Sequence, residues 1–470
     1  MEKGILKVVL ILAIILATIG LTSCASVSKP ALHSAPKPSA VSDHTAWQNN
    51  TALTWDNLQH TSVARLTVMQ SKEKDPVNNA WIELALISKR HSMNTPVLAH
   101  ELIAWRERNP HHPANALLPD NETLNQLQNT LPPRQIAVLL PQKGVYALPG
   151  QTAREGFLNA YYANLAKVGK QNIRFYDTAS SPNITALYQQ AINDGADIVI
   201  GPLTKNHVQQ LKNTSSFTAP TLALNYADPH WHNNSPANFY EFGLLPEDET
   251  TQMANRAHRA GSSHAIIIAP QNAWGRRLTS AFVAEWQSLG GSVQDTWYFD
   301  SQTDFNQGIS QLLHINLSVD KQLTKTDNHK AVLEKQRRHD FDVIFLFSKS
   351  QDARVIVPLL RYYYAGDVPI YAASTVYTNQ ANHDKDMDLS GVIVCDIPWN
   401  KQIAHVSNND LSSDRLYAVG EDAYLLSQSL PRLNKLPNFP IYGSTGAMTL
   451  SANHQIHRRI PCVSFKNGLS

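Results

Sequence analysis

The sequence predicts an α/β protein made of two lobes of parallel sheet flanked by helices, preceded by a small all-α region. Three observations carry that expectation. From Ile136 to Ala373, short runs of branched apolar residues alternate with helical segments, the pattern of parallel strands covered on both faces. The alternation restarts at His264, which implies two similar lobes in succession. Upstream of Pro132-Pro133 the apolar spacing is helical.

The N-terminus is read first. Lys3 and Lys7 precede an uncharged run from Val8 to Leu21, followed by Thr22-Ser23-Cys24. A basic start, an apolar run and small residues make a secretory signal over residues 1–23, and the run is too short to span a bilayer. Leu21-Thr-Ser-Cys24 resembles the bacterial lipobox, which implies a lipidated Cys24 at the mature N-terminus. The plainer alternative is an ordinary signal peptide followed by a free or buried cysteine. Several acyl chains hold a protein stably to a membrane, and Ala25 in place of aspartate points, by the enteric sorting rule, to the periplasmic face of the outer membrane. Residues 24–43 are rich in proline, serine and alanine, a semi-extended tether.

Residues 44–131 form the helical region. Trp81, Leu84, Ala85 and Ser88 fall on one helix face. Asn94 and Pro96 open a second helix that ends at Asn109-Pro110. Antiparallel helices of this length make a tetratricopeptide-like hairpin, which needs a neighbour to bury its face.

Residues 132–465 form the two-lobe part. Strands are expected at 136–140, 172–177, 197–202 and 221–225, then at 264–270, 292–298, 341–347 and 369–373. Here the chain resembles a known class. Ile136–Tyr161, Ala196–Leu203 and Ala273–Leu278 are similar to type I periplasmic solute-binding proteins. The set Gly144–Tyr162, Gly201-Pro-Leu203, Leu222–Asn225, Asn272–Arg276, Gly391–Trp399, Leu416–Tyr424 and Gly443–Gly446, with Trp105–Ala114 ahead of it, resembles the LpoA family. Those are outer-membrane lipoprotein activators of penicillin-binding protein 1A, and their helical N-domain is longer than the region here. The resemblance implies a partner, a class A bifunctional penicillin-binding protein, and a role in peptidoglycan synthesis by activating its transpeptidase.

Chemistry narrows the choice. With 40 basic and 38 acidic residues the net charge is +2, and no basic run carries interleaved aromatics, so nucleic acid is not the expected partner. No nucleophile elbow, zinc-protease helix or phosphate loop is present, so no catalytic residue, cofactor or metal site is assigned. His111-His112, and His454 with His457, read as solvated histidines. Gly443–Gly446 reads as a tight turn feeding a last strand. Cys395 and Cys462 either pair in an oxidising compartment or stand as two buried thiols, and their apolar surroundings favour the thiols.

If the fold is a receptor, its ligand lies between the lobes at the carboxyl ends of the strands. The candidate lining residues are Tyr146, Gln151, Thr204, Asn225 and Tyr226 from the first lobe. Asn272, Trp274, Ser348, Ser374 and Tyr377 come from the second. Amino-acid receptors of this class place a carboxylate opposite the ligand ammonium, and no acid stands in sequence near Ser374-Thr375. A neutral ligand, or none, is therefore expected. The competing expectation is a docking protein, for which the polar insertion at 317–340 is the first place to look for a partner surface. The plainer reading of that insertion is a solvated loop ahead of the strand at Phe341. Arg361-Tyr-Tyr-Tyr364 is expected to pack between lobes.

Overall fold

The computed structural model describes residues 50–213, 216–227, 236–316, 334–377, 386–398 and 411–465. The signal, Cys24, the tether, residues 317–333 of the insertion and Trp399 lie outside the described residues.

Five helices come first: α1 (Thr51–His60), α2 (Val63–Lys72), α3 (Pro76–Arg90), α4 (Thr95–Arg108) and α5 (Asn121–Gln128). Asn50, Ser62, Asp75, Asn94 and Asp120 cap them by accepting first-turn amides, which otherwise lack partners. α3 starts ahead of the apolar stripe because Asp75 caps it and Pro76 is tolerated in the first turn. Trp81, Leu84, Ala85 and Ser88 are all buried, as their spacing predicts.

His112 departs from expectation. It is buried edge-on to the rings of Trp81 and Trp105. Its Nδ1 accepts from Ala114 N, which leaves Nε2–H to donate to the Val77 carbonyl at 3.0 Å. Burial holds its pKa below the usual histidine value, so this is a neutral core residue. The aromatic faces of α3 and α4 converge on it, a fact that local sequence polarity hides.

The first lobe has β1 (Gln135–Leu140), α6 (Ala147–Val168), β2 (Asn172–Asp177), α7 (Ile184–Asn193), β3 (Ile198–Ile200), α8 (Lys205–Lys212), β4 (Thr221–Ala223) and β5 (Phe239–Glu241). Its sheet is parallel, in the order β2-β1-β3-β4-β5. The second lobe has α9 (Pro246–Arg259), β6 (His264–Pro270), α10 (Ala273–Ser288), β7 (Ser292–Phe299), α11 (Phe305–Leu312), β8 (Val343–Leu346), α12 (Ser350–Tyr362), β9 (Ile370–Ala372) and β10 (Ile393–Cys395). The chain then returns. α13 (Leu411–Lys435) lies against α6 and shares its buried cluster, and the short antiparallel sheet of β11 (Ile441–Gly443), β12 (Gly446–Leu450) and β13 (Ile456–Arg459) packs there too. β14 (Cys462–Ser464) crosses back to pair antiparallel with β10 in the sheet β14-β10-β9-β8-β6-β7. The lobes are thus interleaved, with three crossings between them.

Glycines set two close approaches. A Cβ at Gly156 in α6 would lie 2.0 Å from the Tyr417 carbonyl oxygen, and one at Gly420 in α13 would lie 2.0 Å from that of Ala153. The two helices meet backbone to backbone at reciprocal glycines. Each lobe also repeats one device: Gly150 packs on the Pro141 carbonyl and Gly275 on the Pro270 carbonyl, seating the first helix on the end of the first strand.

Two expectations are corrected here. Cys395 and Cys462 are joined in a disulfide, because β10 and β14 place them directly opposite each other with Cα atoms 3.9 Å apart. The Arg361–Tyr364 cluster packs inside the second lobe. Tyr363 is buried there with its hydroxyl donating to Asn306, and Arg361 donates to the carbonyls of Asp388 and Ser390.

Candidate functional site

Loops at the carboxyl ends of parallel strands are where a ligand cleft is expected. In the first lobe, Tyr146 ends a short turn after β1 and is exposed, with Val145 (89% exposed) and Leu148 beside it. Gln151 is exposed and donates to Glu155 at 2.8 Å. Thr204 opens α8 without a side-chain cap bond. Asn225 ties its loop to the one after β3: it donates to the Leu203 carbonyl and accepts from Tyr226 N. Tyr226 is a core residue whose hydroxyl donates to Ile456 O at 2.7 Å, and burial raises its pKa steeply.

In the second lobe, Asn272 caps α10 through Gly275 N, and Trp274 packs on the lobe's core. Tyr377 packs on the opposite core face, near Phe465. Ser348 and Ser374 are buried. The Ser348 carbonyl accepts from Thr375 Oγ1 at 2.6 Å, while its hydroxyl meets no partner among the described residues. The structure therefore uses Asn225, Tyr226, Asn272, Trp274 and Tyr377 as scaffold. Of the rest, Tyr146, Gln151 and Thr204 belong to the first lobe, Ser348 and Ser374 to the second.

An acid does reach Ser374, contrary to the sequence argument. Glu249, in the first turn of α9, accepts from Ser374 N at 3.0 Å and from Ser374 Oγ at 2.8 Å. Asp396, at the end of β10, accepts from Arg415 Nη2 at 2.6 Å and from its own neighbour Ile397 N. Arg415, from α13, faces both carboxylates, and its Nη2 lies 3.5 Å from the Ser374 carbonyl. Burial, then repulsion from Asp396, pushes the Glu249 pKa up. Two acids, one guanidinium and a serine thus form a largely self-satisfied network joining both lobes. A ligand ammonium would have to displace Ser374 from Glu249.

Sequence reasoning missed this network because Glu247-Asp248-Glu249 after Pro246 reads as an acidic, solvated helix start. In the fold each acid reaches a different element. Glu247 pairs with Arg277 of α10, Asp248 accepts from Arg458 of β13 with His457 at 3.1 Å, and Glu249 holds Ser374. His457 is therefore carboxylate-paired, and His454 stacks on the Tyr240 ring. Among the described residues no group of histidine, cysteine or acid side chains is arranged to hold a metal. No helix there is long and apolar enough to cross a membrane.

The Gly443–Gly446 turn links β11 to β12, and its amides are already occupied by an acid side chain. Ser444 N and Thr445 N donate to the buried Asp422 carboxylate at 2.6 and 2.7 Å, with Thr445 Oγ1 at 2.5 Å. A Cβ at Gly443 would strike that carboxylate at 2.1 Å.

Two lobes of largely parallel sheet flanked by helices and joined by three crossings define a periplasmic-binding-protein-like protein. The chain belongs to the lipoprotein family described as "LppC putative lipoprotein", whose model matches residues 35–468. A relative from Photobacterium profundum named penicillin-binding protein activator LpoA is 27% identical over 433 residues, spanning 89% of this chain and 69% of the relative. One of the same name from Yersinia pseudotuberculosis is 26% identical, over 90% and 74%. Full-length LpoA from Haemophilus influenzae superposes with a TM-score of 0.58 at 23% identity, over 88% of this chain and 72% of that one. Its separately solved C-domain, described as a regulator of PBP1A, gives 0.56 at 23% identity, over 71% and 98%. At these identities the solved structures establish the fold.

Proposed function

We propose that this chain is a non-catalytic lipoprotein activator. Anchored by lipid on Cys24 to the periplasmic face of the outer membrane, it binds a class A penicillin-binding protein and stimulates its transpeptidase. The observation that carries this reading is the match of nearly the whole chain, helical region included, to a lipoprotein family and to relatives named penicillin-binding protein activators. Activation of this kind is differential binding: the protein must hold the active conformation of the synthase more tightly than the inactive one.

The cleft supports the same choice over a solute receptor. The acids beside Ser374 already have protein partners, and half of the expected lining residues serve the scaffold. The experiment has two arms. Immobilised protein is exposed to the class A synthases of its source organism, and saturable binding to one of them is expected. In cells, Cys24→Ala is expected to leave the outer-membrane fraction and lose function. Absence of binding to every class A synthase, with a small molecule raising the melting temperature instead, would return the assignment to a receptor.

A further inference from the structure

Helix α1 carries two contact faces one residue apart. Trp55 and Gln59, four residues apart, face the segment that returns to the first lobe. Trp55 is buried against Phe439, with ring centroids 5.2 Å apart, and its Nε1 donates to Asn438 O at 2.8 Å. Gln59 accepts from the Tyr442 hydroxyl through its side chain and from Lys89 Nζ through its carbonyl. Nearby, fully buried Arg432 of α13 donates to Ser92 O of the helical region and to the carbonyls of Phe439 and Pro440.

Asp56 and His60, also four apart, face elsewhere. Arg259, at the end of α9 in the second lobe, donates to Asp56 Oδ2 at 3.0 Å and lies 3.2 Å from His60 Nε2. Arg459, the last residue before the final crossing, donates to Asp56 Oδ1 at 3.3 Å. One short helix is therefore anchored by its apolar side to the first lobe's return segment. Its carboxylate is gripped by the second lobe and by the end of β13, the strand that precedes the final crossing.

We propose that α1 is a strut that fixes the angle between the two lobes, making this fold a rigid presenter rather than a hinged receptor. An isolated exposed ion pair contributes little. Here Trp55 sets the helix in place, so the Asp56 fork needs only to hold a preformed geometry. Opening the lobes would separate Arg259 from Arg459 or tear α1 from Phe439. The inference rests on the packing alone and stands apart from the identity of the partner.

Distance distributions between the lobes test it. Spin labels carried by unnatural residues at exposed positions 167 in α6 and 287 in α10 leave the native cysteines untouched. The unaltered protein is expected to give one narrow distribution. Asp56→Arg sets a third cation against Arg259 and Arg459, and Arg259→Glu sets an acid against Asp56. Each is expected to broaden or displace the distribution while circular dichroism shows the fold retained. A broad distribution in the unaltered protein, or a narrow unshifted one in either folded variant, overturns the strut and leaves the activator reading standing.

Discussion

His60 and Asp422 give the molecule opposite responses to pH. Burial first, then Arg459 and Arg259, lowers the His60 pKa to about 4. Its geometry agrees, since Nδ1 faces the Asp56 carbonyl and Nε2 must accept from Arg259. A folded-state value below the unfolded one means stability present above about pH 6.5 and lost as pH falls toward 4. The side chain is 31% exposed, so solvent trims the effect. Urea midpoints from pH 7 to 4.5 are expected to fall more steeply for the unaltered protein than for His60→Gln.

Asp422 runs the other way. Burial pushes its carboxyl up to about 7, so its contribution is complete at low pH and lost as pH rises from about 4 to 7. The difference in unfolding free energy between the unaltered protein and Asp422→Asn is expected to drift by a few kcal/mol across that window. No drift would show that the Gly443–Gly446 amides hold the carboxylate ionised throughout. Neither residue's role was legible in sequence. Asp422 meets its turn 22 or more positions away, Glu249 meets Ser374 125 away, and Asp248 meets Arg458 210 away. The caps Asn94 and Asn272 act within three residues, and such local signals are the ones sequence displays.

At the level of elements, long strands and short apolar ones were readable, and short partly polar ones were not. β1, β2, β6 and β7 fall within a residue of their expected limits, because each runs six to eight residues with an apolar or alternating signal. β5, β11, β13 and β14 have only three or four residues, several of them polar, and acquire strand geometry from the neighbour they pair with. The α6–α13 contact was also invisible, since Gly156 and Gly420 look like weak points in helices until they are seen to touch. Gly420→Ala is expected to cost about 3 kcal/mol or more in chemical denaturation, as both obstructing groups are backbone. Gly366→Ala, which meets only a flexible arginine stem, should cost far less. Breaking the disulfide with Cys395→Ala and Cys462→Ala together is expected to lower stability by about 2–4 kcal/mol, since it closes a long loop across 67 positions. An unchanged midpoint would mean that β14 stays paired without it.

For the whole molecule, fold class and order of parts were legible because alternation of strands and helices survives in a single sequence. The interleaving of the lobes was not, because the return of α13 depends on a helix–helix contact rather than on any periodicity. The candidate cleft was legible as a location only. Strand-end loops can be placed by counting strands, whereas the Glu249–Ser374–Arg415–Asp396 network requires four separate elements to converge. That convergence leaves the cleft braced from within, and α1 braces the lobes from outside. A braced two-lobe body suits a protein that acts by presenting a surface.

The most direct test is transpeptidase cross-linking by a class A synthase of the source organism, with and without this protein lacking its first 43 residues. The activator account predicts that cross-linking rises saturably with added protein, along the same curve as binding. Binding without any change in cross-linking, or no binding at all, would contradict it.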